Sequence, residues 1–189
     1  GYKHFMMKEI AEQPTVLGDC LAHYIGPAAR EIAFPGADLD FRSVERITMV
    51  ACGTAYYACL TAKYWFEQIA RLPVEVDIAS EFRYREPPVA PNTLAVFVSQ
   101  SGETADTLAA LRYMAEKARI AAVVNVAESS IAREADAVLP LCAGAEIGVA
   151  STKAFTCQLT VLALMALKAA ADRGVLSPEA LAGHLDELR

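Results

Sequence analysis

Five short apolar runs separated by helical patterns constrain this chain more than any other feature. The runs are "RITMVACG" (46–53), "VEVDIAS" (74–80), "TLAVFVS" (93–99), "IAAVVNVA" (120–127) and "AVLPLCA" (137–143). Short apolar runs bounded by turn residues read as buried strands. Helical patterns fill most of the gaps: "TAYYACLTAKYWFEQIARL" (54–72), "TADTLAALRYMAEKA" (104–118) and a short "SSIAREA" (129–135). Strand–helix alternation with continuous apolar strands predicts a parallel sheet covered on both faces. Five such strands predict a doubly wound, flavodoxin-like α/β fold of order 2-1-3-4-5. Its ligand crevice lies beyond the carboxyl ends of strands 1 and 3, where the winding reverses.

Helices flank this unit. "YKHFMMKEIAEQ" is expected to end before Pro14, and a second helix to run from about Val16 to Glu31. Pro35 and Gly36 break the chain into a loop over Phe34–Phe41. A long apolar helix is expected from about Ser151 to Arg173, stopping at Gly174. A last helix opens with Ser177 as N-cap and Pro178 at its first position. The expected division is an N-terminal linker-like helical segment (1–40), a ligand-binding α/β domain (41–175) and a C-terminal helix (176–189).

Composition narrows the function. The net charge of −6 argues against a nucleic-acid surface, which needs a basic stripe. The apolar stretch "LTVLALMAL" (159–167) is too short to span a bilayer, so no membrane partner is expected. The five cysteines are odd in number and form no CxxC pair; reduced thiols in a cytoplasmic protein are expected. His4, His23 and His184 are scattered without metal-ligand spacing, and neither a metal nor a cofactor is expected.

Two motifs end strands 1 and 3. In "SQSGETADTL", Ser99, Gln100, Ser101 and Thr104 surround Gly102 where a strand hands over to a helix. A helix N-terminus leaves N–H groups free and carries partial positive charge, so the turn suits a phosphate as well as an ordinary cap. No GxxxxGK[ST] is present, which disfavours a nucleotide phosphate chain. Glu103 repels an anion unless it points away. "ACGTAYY" repeats the form with Cys52, Gly53 and Thr54. Cys52 has no sequence-local base and reads as a packing and backbone-contact residue, not a nucleophile. "GAEIGVASTKAF" opens the long helix, with Ser151 or Thr152 as its cap. "SEFRYREPP" (80–88) reads as a partly exposed loop, and the aromatics of 56–66 as core or interface.

Together "ACGTA", "ASEFRYRE", "SQSGETADTL" and "EIGVASTKAFT" resemble the sugar isomerase (SIS) domain family. The likeness is closest to the isomerase part of the glucosamine-6-phosphate synthases, the glutamine:fructose-6-phosphate aminotransferases, and it covers nearly the whole chain. It implies a hexose 6-phosphate ligand. The phosphate would be held by Ser99, Gln100, Ser101 and Thr104, and the sugar by Cys52, Gly53, Thr54, Val149 and Ser151. Ala55 departs from the serine that some family members carry there, removing one phosphate contact. That family joins a glutaminase to two SIS subdomains, so this chain is expected to be the first subdomain of a longer enzyme; the helices over 151–173 and 54–72 would each leave an apolar patch, and a homodimer is expected. The catalytic residues are then expected outside it. A phosphosugar deaminase or isomerase without glutaminase, and a non-catalytic phosphosugar module, stay open as readings.

Overall fold

The computed structural model describes residues 1–26, 28 and 30–188. In chain order the elements are α1 (Phe5–Tyr24), β1 (Arg46–Ala51), α2 (Gly53–Trp65), β2 (Val74–Ile78), α3 (Ala79–Arg85) and β3 (Thr93–Ser99). Then follow α4 (Ala105–Met114), β4 (Arg119–Val124), α5 (Ser130–Glu134), β5 (Ala137–Pro140), α6 (Lys153–Asp172) and α7 (Pro178–Glu187). All strand pairs are parallel and the order is β2-β1-β3-β4-β5, as the alternation of runs predicts.

Successive strand side chains point to opposite faces, so each strand feeds two cores. Ile47, Met49, Val96, Val98, Val123 and Leu139 face α1, α2, α6 and α7. Val50, Phe97, Ala122 and Val124 face α3, α4 and α5. All seven residues of β3 are buried, because a central strand with both faces covered has no solvent side. α6 supplies much of the first core through Val161, Leu162, Leu164 and Met165. Each such burial contributes about 1.5–3 kcal/mol relative to exposure. By length and composition α6 is apolar enough to cross a membrane, yet 61% of its apolar window is buried inside the fold.

Three local expectations are corrected. The proline does not break the N-terminal helix: α1 runs unbroken from Phe5 to Tyr24 with Pro14 inside. A proline at that position leaves the carbonyl four residues earlier without its N–H partner. The Gln13 amide replaces it, donating to Ile10 O at 3.2 Å, while Gln13 Oε1 accepts from Thr156 Oγ1 of α6 at 2.6 Å. Glu9, Val16, Cys20 and Tyr24 are the buried residues of α1, and Val16, Cys20 and Tyr24 join the first core, so tertiary packing also opposes a break. The helix ends at Tyr24 rather than near Glu31, because Ile25 turns extended and bridges Ile32. Secondly, "SEFRYREPP" begins within a helix, α3, because Ala79 and Phe82 bury one face three residues apart. Thirdly, the helix expected over 54–72 loosens into a π turn at Phe66–Ala70 and stops at Arg71, which is left-handed at φ 55°.

All five cysteines are free thiols, as their spacing predicts. Among the aromatics of 56–66, Phe66 is core, whereas Tyr57 and Tyr64 are exposed.

The seam between α1 and α6 yields two tests. Gln13→Ala removes both of its hydrogen bonds and is expected to cost about 1–2 kcal/mol in urea unfolding. Glu12 pairs with buried Lys153 at 2.8 Å and with Lys8 at 3.2 Å. The Lys153 ammonium, then the Lys8 ammonium, holds the Glu12 carboxyl below its ordinary 4.5. A depressed carboxyl stabilises fully above its unfolded value, so this contribution is present above pH 4.5 and lost as pH falls through the lower folded value. Glu12→Gln is expected to flatten that part of the acid unfolding curve, followed by circular dichroism.

Candidate functional site

Parallel register brings the two strand-end motifs together. Ala51 of β1 pairs with Val98 of β3, so Cys52 and Ser99 leave the sheet side by side. Cys52, Gly53, Thr54, Ser99, Gln100, Ser101 and Thr104 line one cavity of about 280 Å³, with Ala55, Val98 and Gln158. The seven expected residues of both motifs therefore converge, nearly fifty positions apart in sequence. Val149 and Ser151 do not line this cavity. Val149 is fully exposed, and the Ser151 hydroxyl donates to Glu146 at 3.1 Å.

The cavity lies between two helix N-termini whose cap residues make no side-chain capping bond. Cys52 stands at the N-cap of α2 and Thr104 at that of α4, and neither side chain caps its helix. Of the other helices, α5 and α7 are capped by serine, Ser129 accepting from Ala132 N and Ser177 from Ala180 N, while α1 and α3 also lack a side-chain cap. Free N–H groups at a helix start carry partial positive charge and suit an anion. The cap expected of the "SQSGET" hydroxyls is thus absent at Thr104, and residues of both helix starts line the cavity.

A hydroxyl chain orders the 99–104 turn. Gly102 N donates to Ser99 Oγ at 3.0 Å, and Ser99 Oγ lies 3.1 Å from Thr104 Oγ1. If Ser99 gives its proton to Thr104, the Thr104 proton is free for a ligand in the cavity. Ser99 is itself buried, so its place is behind the contact surface. Ser101 Oγ accepts from Glu103 N at 3.2 Å and keeps its proton for a ligand. Glu103 points away from the cavity: it accepts from Ser130 N at 2.7 Å, and that hydrogen bond holds its carboxyl below the ordinary value. The electrostatic objection to an anion is removed.

Glycine is required where the backbone bends. Gly102 has φ +66°, and a Cβ there would overlap the Ser129 hydroxyl. Gly53 has φ +59° at the start of α2.

The third motif is held by carboxylates that sequence reading missed. Glu146, not Ser151 or Thr152, caps α6, accepting from Thr152 N at 2.8 Å and Ala154 N at 3.2 Å. Glu9 of α1 is buried and accepts from Ile147 N at 2.6 Å and Gly148 N at 3.1 Å. The available signal was a glutamate in an otherwise apolar helix face. Gln158 was missed as well; it is a polar residue on the buried face of α6, four residues from Ala154 and from Leu162.

A larger cavity, about 490 Å³, is lined by Arg46, Lys63, Arg85, Glu75 and Asp77. Two of its cations are paired: Arg85 with Asp77, and Lys63 with Glu67. It also begins at Arg46 and Thr93, the amino ends of β1 and β3, away from the crevice that such sheets use.

A doubly wound sheet with two uncapped helix starts around a hydroxyl-rich turn defines an α/β protein with a candidate ligand site at the carboxyl end of its sheet. Residues 40–168 match the SIS domain, and the chain belongs to that family. It is 61% identical over 181 residues to a glutamine–fructose-6-phosphate aminotransferase [isomerizing] of Bradyrhizobium diazoefficiens, covering 95% of this chain and 30% of that protein. It is 60% identical over 177 residues to the protein of the same name from Brucella abortus, covering 93% and 29%. The C-terminal domain of glucosamine-fructose-6-phosphate aminotransferase from Francisella tularensis superposes with a TM-score of 0.94 at 43% identity, over 100% of this chain and 54% of that one. The chain thus spans about 30% of the length of the aminotransferases it matches.

Gly102→Ala is expected to destabilise by roughly 2–4 kcal/mol, adding overpacking against Ser129 to positive-φ strain. Equilibrium unfolding measures it, and Ser129→Gly in the same background is expected to restore part of the loss.

Proposed function

We propose that this chain is the sugar-phosphate-holding part of an enzyme that converts fructose 6-phosphate and glutamine-derived ammonia to glucosamine 6-phosphate. The observation that carries the reading is the convergence of Cys52, Gly53, Thr54, Ser99, Gln100, Ser101 and Thr104 on one cavity between two uncapped helix starts. The name borne by relatives about 60% identical supports the same substrate.

In this reading the phosphate sits between the starts of α2 and α4. Ser101 and Thr104 donate hydroxyl protons, Gln100 adds its amide, and Ser99 orients Thr104. Residues 41–175 form the binding unit, with 1–40 as linker and 176–189 as a closing helix. Val149 and Ser151 belong to the sugar end, on a loop that Glu9 and Glu146 hold in place. The phosphate acts as a handle: fixing it orients the reacting carbons, which is where remote binding energy lowers a barrier. Ring opening and proton transfer between C1 and C2 need a positioned base, and the groups lining this cavity supply none. Those groups come from other parts of the whole enzyme, so the 189-residue chain binds without turning over.

The partner is a second copy of the enzyme, in the cytoplasm, with neither nucleic acid nor membrane involved. Exposed Phe5, Met7, Ile10, Ile147 and Val149 favour such a contact, since grouped apolar residues mark interfaces.

Calorimetry with fructose 6-phosphate tests the reading. The Ser101→Ala, Thr104→Ala double variant is expected to lose about a hundredfold in affinity, as two hydrogen bonds to a charged group are removed. Equal affinity in wild type and variant refutes the cradle, and measurable turnover by the chain alone refutes the division of labour.

A further inference from the structure

Among the described residues, three buried side-chain atoms lack a hydrogen-bond partner: Thr107 Oγ1, Gln158 Oε1 and Arg173 Nε. Only Gln158 also lines the cavity between α2 and α4. It is 1% exposed, set among Ala154, Val161 and Leu162 on the core face of α6. An unsatisfied buried acceptor costs the folded protein free energy, and native chains rarely keep one without a use. A leucine or methionine would fill the same place without that penalty.

We propose that Gln158 is a ligand-binding residue and that its amide reads a hydroxyl of the sugar, not the phosphate. This deepens the hexose 6-phosphate reading and rests on it. The chemistry of the vacant atom selects the partner. Oε1 only accepts, and the dianion of a phosphate monoester has no proton to donate. A sugar hydroxyl both donates and accepts, which matches an amide. A half-turn of the amide exchanges its two ends with no change of shape, so either its acceptor or its donors can face the cavity, and a hydroxyl, unlike the phosphate dianion, meets both. The phosphate, by contrast, already meets the Ser101 and Thr104 hydroxyls and two open helix starts.

Gln158 thereby gives the site a sugar-specific element on a third wall, contributed by α6.

The test compares wild type with Gln158→Met in the full chain, by calorimetry with fructose 6-phosphate and, separately, inorganic phosphate. Thermal unfolding without ligand is measured alongside. The variant is expected to bind fructose 6-phosphate about tenfold more weakly and inorganic phosphate equally well, with an unliganded Tm no lower than wild type. Gln158→Glu, equal in shape, is expected to weaken both ligands, because its carboxylate repels the anion. An equal loss for both ligands in Gln158→Met overturns the assignment to the sugar. Unchanged affinities with a lowered Tm overturn it in favour of a packing role. If wild type binds no hexose phosphate at all, the underlying reading fails and this inference falls with it; if wild type binds and the variant matches it, only the inference fails.

Discussion

Two helices begin at the same end of the sheet, and neither has its first turn capped by a side chain. This one constraint organises the rest. An uncapped start leaves donors and partial positive charge unsatisfied. Placing two of them around one cavity concentrates that charge without a single lysine or arginine in the lining. The doubly wound order β2-β1-β3-β4-β5 brings them together, because β1 and β3 are neighbours whose following helices lie on opposite faces. An acidic chain can therefore present an anion site. α5 and α7 are capped by serine side chains, whereas the two starts at the cavity are not.

Around that centre the chain spends its acidic side chains on backbone. Glu103 bonds the start of α5, Glu146 caps α6, and Glu9 grips the loop at Ile147 and Gly148. Each carboxylate is thereby committed to backbone N–H groups and fixes a loop or a helix start. α1, linker-like by sequence, is held to α6 by Gln13–Thr156 and Glu12–Lys153 as well as by its apolar face. It thus holds the third motif across a long separation in sequence: Glu9 and Ile147 are 138 positions apart.

Strand order and crevice were legible because buried parallel strands are continuous apolar runs, and few topologies accommodate five of them. The convergence of Cys52–Thr54 with Ser99–Thr104 followed from that topology. What sequence left hidden depended on long-range partners. Pro14 reads as a breaker until the Gln13 side chain supplies the missing donor. The helix over "SEFRYRE" appears only when Phe82 finds the core of the α3–α5 face. Ser151 and Thr152 look like caps until Glu146 folds back on them. Gln158 reads as one more helix residue until its neighbours prove apolar and its carbonyl unpartnered. Local chemistry was readable; side chains serving distant backbone were not.

The central claim is that the anion lies between the starts of α2 and α4. A crystal structure of this chain with fructose 6-phosphate tests it most directly. The account predicts phosphate oxygens within hydrogen-bond distance of the Ser101 and Thr104 hydroxyls and of backbone N–H groups at both helix starts. A phosphate in the larger cavity beside Arg46, Lys63 and Arg85 would contradict it.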